Sequence, residues 1–435
     1  IKSGLRGRGG GGFPTGIKWQ SAQKAAARKN EKPCLVCNAY GSFKDSSIVE
    51  TDPHAVIEGM TICALAVGAS EGFIYINRES SLALARMTTA VTQAKEKGFL
   101  GREKTASGLS FDINIHRGAD AFISGESSAM LAAISGKAGE PSAKYIHSAE
   151  SGYHNRPTIV DNVETWANIP SIIEKGSSWF AGIGKGSTGT KIITLTGKII
   201  NYGLIEIEMG TSLREIIYDI GGGIGGNGNL KAVQVGGPSG GFLPASLLDI
   251  PVDFDSLTKA GSMMGTGSIV VMDDTTCMVN LVKNAISFLK GESCGKCTPC
   301  REGLIAINEM LDRITRGEGR EGDVELMTEI AEVMKNASLC AFGKTAANPV
   351  LSTIKYFRDE YNTHIKDNKC NAGVCRELIT YSVNDNCTGC TICAENCPVD
   401  AIRGIPKQKH SIDTKLCIKC GICSEVCKFA AITVQ

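Results

Sequence analysis

The sequence predicts a multidomain α/β protein, and three observations carry that prediction. Its 435 residues exceed what one hydrophobic core usually supports, so roughly two to four domains are expected. Apolar strand-like runs alternate with helix-sized amphipathic stretches near the N-terminus, as a doubly wound, Rossmann-like sheet requires. Most of the 18 cysteines cluster toward the C-terminus at spacings that suit metals, and no secretory h-region precedes them to favour disulfides.

Charge excludes several functions. Lys+Arg 46 against Asp+Glu 45, a net charge of +1, provides no global field for nucleic acid or an acidic membrane surface. No run approaches the length of a bilayer span, so a soluble cytoplasmic protein is expected. The chain opens on Ile1 inside a motif, and a further N-terminal segment is expected to precede it.

The most specific pattern lies in residues 384–435. Cys387, Cys390, Cys393 and Cys397-Pro398 form a C-x2-C-x2-C-x3-C-P run, and Cys417, Cys420, Cys423 and Cys427 repeat it. Three thiolates on one loop bind three corners of a 4Fe-4S cubane, and the fourth cysteine crosses to the other cluster. The expected sets are therefore Cys387, Cys390, Cys393 and Cys427 for one cluster, and Cys397, Cys417, Cys420 and Cys423 for the other. Short strand signals at Ala401–Arg403 and Ala431–Val434 suit a two-cluster ferredoxin domain. A zinc knuckle would not need two tandem runs with this crossing. Lys407, Lys409, Lys415, Lys419 and Lys428 read as a solvated face, with docking of an acidic ferredoxin as the alternative.

A third set lies in residues 275–365. Glu292-Ser-Cys294-Gly-Lys-Cys297-Thr-Pro-Cys300-Arg-Glu-Gly303 places three thiolates on a loop, followed by helix-like sequence from Leu304 to Arg316. Cys340, in SLCAFGKTA between further helical stretches, is the expected fourth ligand in a helical bundle. Either a 4Fe-4S cluster or a structural zinc accepts such a set.

Residues 1–186 begin with GLRGRGGGGFPTG over positions 4–16, where glycine backbone can face phosphate and Arg6, Arg8 and Lys18 supply charge. A strand at Pro33–Asn38, an amphipathic stretch from Pro53 to Ala69 and a second strand over Gly72–Ile76 follow. The polar clusters Gly125-Glu126-Ser127-Ser128 and Asp161-Asn162-Val-Glu164-Thr165 end apolar runs, the usual place for ligand groups.

GRGGGGFPTG, DNVET, SCGKCTPCREG and SLCAFGKTA, in this order, resemble the flavoprotein subunit of respiratory complex I and the flavin-containing beta subunits of NAD(P)-linked, electron-bifurcating hydrogenases and formate dehydrogenases. The resemblance spans nearly the whole chain, and the ferredoxin tail favours the hydrogenase-type branch. It implies FMN against Gly7, Gly9, Lys18, Asn38, Gly125, Glu126, Asn162 and Thr165, with Arg6, Gly10, Ser127 and Asp161 in the same cofactor site. NAD(P)H would stack near Phe13, with Lys144 on the nucleotide side. It also implies a small β-grasp-like domain over residues 187–274, where the run GGGIGGNGN reads as a turn and Ser212–Ile220 as a helix.

Two departures bear on the nucleotide. The acidic loop that follows the asparagine in family members is replaced here by Ala39-Tyr40-Gly41-Ser42-Phe43-Lys44, and Ser127-Ser128 stand where the family often has a second carboxylate. Removing carboxylates relieves discrimination against a 2′-phosphate, so NADP(H) is expected over NAD(H), with Ser127 or Lys44 assisting. A further segment, residues 366–383 with His364 before it, reads as a zinc linker: His364, Cys370 and Cys375 are three ligands whose fourth is not identified. The alternative is two free cysteines beside a histidine. Cys34, Cys37, Cys63 and Cys277 lack cluster spacing and are expected in the core.

The combined expectation is an oxidoreductase subunit that exchanges hydride with NAD(P)(H) and passes single electrons to partners, by flavin-based bifurcation. Hydrogenase or formate dehydrogenase catalytic subunits, a small 2Fe-2S thioredoxin-like subunit and ferredoxin are the expected partners. The rival is a non-catalytic electron-relay and scaffold subunit with weak or no nicotinamide binding.

Overall fold

The computed structural model describes residues 1–40, 42–101, 108, 110–143 and 145–434. The N-terminal unit is built on β1 (Cys34–Ala39), β2 (Glu71–Asn77), β3 (Asp112–Gly118) and β4 (Thr158–Asn162). They form an all-parallel sheet in the order β3-β2-β1-β4. Side chains along β1 alternate between two buried faces: Leu35 and Cys37 join the core around Trp166, while Cys34 and Val36 join the core around Met130 and Leu131. Burial on both faces explains why the strand reads as a continuous apolar run. The helices are α1 (Thr15–Lys29), α2 (Phe43–Thr51), α3 (Pro53–Val67), α4 (Ser81–Glu96), α5 (Ser127–Ile134), α6 (Val163–Lys175) and α7 (Ser177–Ala181). Close packing of α3 on α6 depends on Gly59, where a Cβ would stand 2.1 Å from the Trp166 carbonyl oxygen.

The middle unit contains β5 (Thr190–Gly197), β6 (Gly203–Glu208), β7 (Leu230–Val235), β8 (Gly241–Pro244) and β9 (Ser268–Asp273), ordered β6-β5-β9-β7-β8. Only the β5–β9 pairing is parallel. The helix expected over Ser212–Ile220 is present: residues 213 and 214 are α-helical and lead into a six-residue π-helix, Glu215–Ile220, whose entry is capped by Ser212 and Glu215 bonding one another. A short helix, α8 (Phe254–Lys259), covers this sheet.

Helices α9 (Met278–Glu292), α10 (Thr298–Thr315), α11 (Asp323–Ala337), α12 (Ala341–Thr345) and α13 (Asn348–Lys366) follow. Helix α10 starts at Thr298, ahead of the expected Leu304, because Pro299 is suited to a first helical turn. Cys300, Leu304, Ile307, Leu311 and Ile314 recur at helical spacing and are all buried.

In the tail, β10 (Tyr381–Val383) pairs antiparallel with β13 (Ile432–Val434), and β11 (Ile402–Arg403) with β12 (Ser411–Ile412). Two one-turn helices, α14 (Ile392–Glu395) and α15 (Ile422–Glu425), carry the third cysteine of each run. Among the described residues no helix is long and apolar enough to cross a membrane.

Candidate functional site

The glycine loop is folded back on itself and pinned against the end of β4. Arg6 and Pro14 form an isolated bridge, and the Gly7 N–H donates to the Phe13 carbonyl at 2.9 Å. Arg8 is wholly buried, and its guanidinium donates to the carbonyls of Thr190, Arg6 and Thr188 at 3.0, 3.0 and 2.6 Å. Burial lowers its pKa to about 10, with Glu164 pulling the other way. Its backbone N–H donates to Thr165 Oγ1 at 2.8 Å. Arg8 therefore anchors the loop to β5 and is not available to a phosphate, contrary to expectation. Arg6 is likewise engaged: it donates to the Gly12 carbonyl at 2.6 Å, pairs with Asp255 at 2.9 Å and lies over the Phe254 ring.

The strand-end residues meet behind this loop. A Cβ at Gly9 would stand 3.0 Å from Asn162 Cβ, so the loop needs glycine to lie this close to β4. Asn38 Nδ2 donates to the Gly125 carbonyl at 3.1 Å, joining β1 to the segment before α5. Glu126 caps α5 by accepting from the Ser128 and Ala129 N–H groups at 2.8 and 3.1 Å. Lys18 pairs with Asp161 and donates to the Val160 carbonyl at 2.8 Å. Burial pushes the Asp161 carboxyl up, opposed by Lys18, and its Oδ2 has no hydrogen-bond partner.

Lys44 contradicts the sequence reading. It is fully buried, 2.6 Å from Asp45, 2.9 Å from Glu164 and 3.2 Å from Asn162 Oδ1. Lys191 on β5 bonds the same Glu164 carboxylate, whose other oxygen accepts the Ile192 N–H at 2.8 Å. Burial alone would raise the Glu164 pKa, but Lys191 and Lys44 outweigh it and hold it at about 2. These four charges and Asn162 lock the N-terminal sheet to the middle unit. Tyr40 lies in the segment that replaces the acidic loop in sequence: its hydroxyl bonds the Ala119 carbonyl and lies 2.6 Å from the Ala121 carbonyl, and its ring packs under Gly125.

A cleft of about 710 Å³ is lined by Phe13, Lys18 and Ser127 of the expected site, whereas Gly7, Gly9, Gly10, Asn38, Gly125, Glu126, Asp161, Asn162 and Thr165 do not line it; its volume is within the range of small-molecule sites. Phe13, Lys18, Ser127 and Ser128 form one side, and the segment from Tyr145 to Asn155 forms the other. The Phe13 and His147 rings face each other with centroids 6.5 Å apart. Lys144 and Gly41 lie outside the described residues.

The central cysteine loop is bolted to this cleft. Glu292 accepts the Phe122 N–H at 2.7 Å, and Lys296 Nζ donates to the Pro141 carbonyl at 3.1 Å. Phe122 also packs against Phe342, two residues beyond Cys340, with ring centroids 6.1 Å apart. Burial pushes the Cys300 thiol up to about 11; Ser293 opposes, while Cys297, Cys340 and Cys294 add to the shift. Four neighbouring cysteines whose thiolates would repel one another suit a bound cationic centre that stabilises those thiolates.

The two tail sets converge as well. One small cavity is lined by Cys387, Cys390, Cys393 and Cys427, and another by Cys397, Cys417, Cys420 and Cys423. Each draws three ligands from one run and the fourth from the other. Of the tail lysines, Lys409 pairs with Asp385 at 2.7 Å and Lys419 donates to the Glu377 carbonyl at 2.7 Å.

Cys277 is in the core as expected, and it also joins a further group of potential metal-binding side chains. Cys277, His364, Cys370 and Cys375 are all buried, with ligand atoms within 4.8 Å of one another. His364 Nε2 lies 3.4 Å from both Cys277 Sγ and Cys375 Sγ, while its Nδ1 donates to the Glu360 carbonyl at 2.7 Å. That contact fixes the tautomer a metal-binding histidine needs. Cys277 precedes α9 and lies far in sequence from its companions, so spacing had no means of finding it.

These arrangements agree with the comparisons. A family model described as the Nuo51 FMN-binding domain matches residues 1–171, and one described as the NADH-ubiquinone oxidoreductase-F iron-sulfur binding region matches residues 280–364. A 4Fe-4S binding domain matches residues 381–403 and 410–433. NADP-reducing hydrogenase subunit HndC of Solidesulfovibrio fructosivorans is 49% identical over 439 residues, covering 100% of this chain and 89% of that relative. This chain belongs to the complex I 51K family. Within the family, the F 2 component of NADH-quinone oxidoreductase in Rhizobium meliloti is 44% identical, and the match covers 85% of this chain and 88% of that relative. A crystal structure of NAD+-reducing NiFe-hydrogenase in the H2-reduced state superposes with a TM-score of 0.75 at 31% identity. The match covers 84% of this chain, which spans 61% of that hydrogenase chain. This member of the 51K family is thus an iron–sulfur flavoprotein subunit, with a full-length resemblance to a hydrogenase relative.

Proposed function

We propose that this chain exchanges hydride with NADP(H) at the cleft and passes electrons singly, through the central and tail cysteine sets, to hydrogenase-type partner subunits. The observation that supports it is the attachment of the central cysteine loop to segments next to the cleft, at Phe122–Glu292 and Pro141–Lys296. FMN, when bound, supplies the conversion between two-electron hydride and one-electron transfer. Gly7, Gly9, Gly10, Lys18, Asn38, Gly125, Glu126, Asp161, Asn162 and Thr165 form or buttress the flavin face; Phe13 is assigned to the nicotinamide, Ser127 to a nucleotide phosphate, and Lys144, outside the described residues, keeps its expected role on the nucleotide side. The pinned glycine loop excludes side chains from that face, and the buried charges behind Asn162 keep it rigid. Arg6 acts indirectly, by holding Gly12.

The preference for NADP rests on the missing carboxylates and on Tyr40, a neutral residue in the segment that replaces the acidic loop. Anaerobic flavin reduction by NADPH and by NADH, measured separately, tests it: NADPH is expected to be the faster, and a clear NADH preference overturns it. Loss of reaction with both nucleotides, with flavin retained, would favour the relay and scaffold reading.

The proposed domains are residues 1–186 for flavin and nucleotide, 187–274 as a β-grasp-like domain, 275–365 as the helical 4Fe-4S domain, 366–383 as a zinc linker and 384–435 as the ferredoxin domain. Zinc is assigned to Cys277, His364, Cys370 and Cys375, because three thiolates and one neutral imidazole suit its tetrahedral site. Three 4Fe-4S clusters correspond to roughly twelve irons per chain. Bifurcation, a cytoplasmic location, and formate dehydrogenase, ferredoxin and a small 2Fe-2S subunit as partners complete the proposal. Isolation of the native assembly with its companion subunits would test that part.

A further inference from the structure

The central loop carries a hydroxyl to which the proposed electron path gives no role. Ser293 follows the last residue of α9 and precedes Cys294. Its Oγ lies 3.4 Å from the Sγ of Cys300, which sits in the first turn of α10 and is 5% exposed. The same Oγ accepts the Gly295 N–H at 3.3 Å. Glu292, the residue before it, accepts the Phe122 N–H at 2.7 Å, so the chain is held on both sides of the hydroxyl.

Hydrogen-bond bookkeeping fixes which atom donates once the loop holds a cluster. A hydroxyl has one hydrogen and two lone pairs. Gly295 takes up a lone pair, which leaves the Ser293 hydrogen free for sulfur. A cysteine bound to a metal is a thiolate and can only accept. Among the described residues, the other hydrogen bonds to proposed cluster cysteines come from backbone N–H groups. Leu339 donates to Cys297 at 3.5 Å, and in the tail Ala401 donates to Cys397 at 3.2 Å, Lys419 to Cys417 at 3.4 Å and Ala431 to Cys427 at 3.4 Å. Those donors follow from the path of each loop, whereas the Ser293 hydroxyl is supplied by the choice of side chain.

We propose that Ser293 donates its hydroxyl hydrogen to the Cys300 thiolate and so raises the reduction potential of the central cluster. Reduction adds one electron, and part of the added negative charge falls on the thiolate sulfurs. A hydrogen bond to sulfur in the buried setting of Cys300 stabilises the reduced form more than the oxidised one. The electron comes from the flavin of the proposed path, and no proton moves with it, since Ser293 keeps its hydrogen throughout. The central site then accepts electrons more readily than its four cysteines would alone. The inference rests on reading Cys294, Cys297, Cys300 and Cys340 as the ligands of a 4Fe-4S cluster.

The test is potentiometric EPR titration of the full-length, cluster-loaded protein, with iron analysis of each variant. Ser293→Ala is expected to retain the wild-type iron content and to lower one potential, leaving the tail potentials unmoved. The expected fall is about tenfold in the reduction equilibrium, about 59 mV for one electron. Ser293→Thr keeps a hydroxyl on the same carbon and is expected to hold the wild-type potential. Pulsed ENDOR of the shifted signal, before and after exchange into D2O, should show an exchangeable proton in the wild type and in Ser293→Thr that Ser293→Ala lacks. Unmoved potentials in an iron-replete Ser293→Ala overturn the proposal. An equal fall in Ser293→Ala and Ser293→Thr also overturns it, since loop shape would then set the potential. So does loss of central iron from Ser293→Ala, since Ser293 would then hold the loop rather than tune the cluster. A wild-type central site that loads no iron fails earlier, on the cluster reading itself.

Discussion

The tail and the N-terminal cleft solve the same problem, holding a redox centre, by opposite routes. In the tail, each set draws three of its four ligands from one seven-residue stretch, Cys387–Cys393 or Cys417–Cys423. Beside the cleft, the glycine loop, β1, the segment before α5, the turn from β4 to α6, and β5 are bonded to one another. Local sites depend on loop shape. Dispersed sites depend on whatever holds distant segments together, which here is a buried set of charges.

That difference can be broken from the site between them. Cys277→Ser removes a proposed ligand contributed by the residue that caps the start of α9. It is expected to cost metal affinity by more than the roughly 10–100-fold typical of losing an outer partner, and to open residues 366–383 to protease while tail iron remains. Zinc analysis and limited proteolysis of the intact chain check it; loss of tail iron would show that the tail is not locally assembled.

Glu164→Gln is expected to destabilise the N-terminal unit by about 3–5 kcal/mol, since Lys44 and Lys191 would remain buried with a charge unmatched. Urea unfolding followed by tryptophan fluorescence measures it, and the tail potentials should not move. The same carboxylate predicts a pH dependence. Its pKa of about 2 in the folded chain lies below the ordinary 4.5, so its stabilisation is complete above pH 4.5 and is lost as pH falls toward 2. The Gln variant should show a shallower acid slope, again by unfolding curves. The smallest effect is expected from Tyr40→Phe. It loses the hydroxyl bonds to the 119–121 carbonyls, worth about 1 kcal/mol, and should weaken flavin retention measured by dialysis without altering iron content.

The contrast in assembly also explains what could be seen in the sequence. The tail repeats were visible because ligands and turns recur at a fixed interval. The alternation of β1, α3 and β2 was visible because both sheet faces are apolar. Arg8 and Lys44 were misread as phosphate ligands because a basic residue near glycines carries no sign of the carbonyls or carboxylates that engage it from β5 and α6. Cys277 was invisible for the same reason, since its companions lie some ninety residues on. Tyr40 was noticed only as an absence of acids; its hydroxyl partners belong to a segment after β3.

The crossing of the fourth cysteines has a consequence for biosynthesis. Under the proposed ligand sets, the central site has all its ligands once Cys340 has emerged from the ribosome, and the zinc site once Cys375 has. Neither half of the tail can mature alone. The second tail site waits for Cys423 and the first for Cys427, so both tail sites are completed after the central and zinc sites, and a chain stalled before these residues would carry unpaired thiolates for quality control to find.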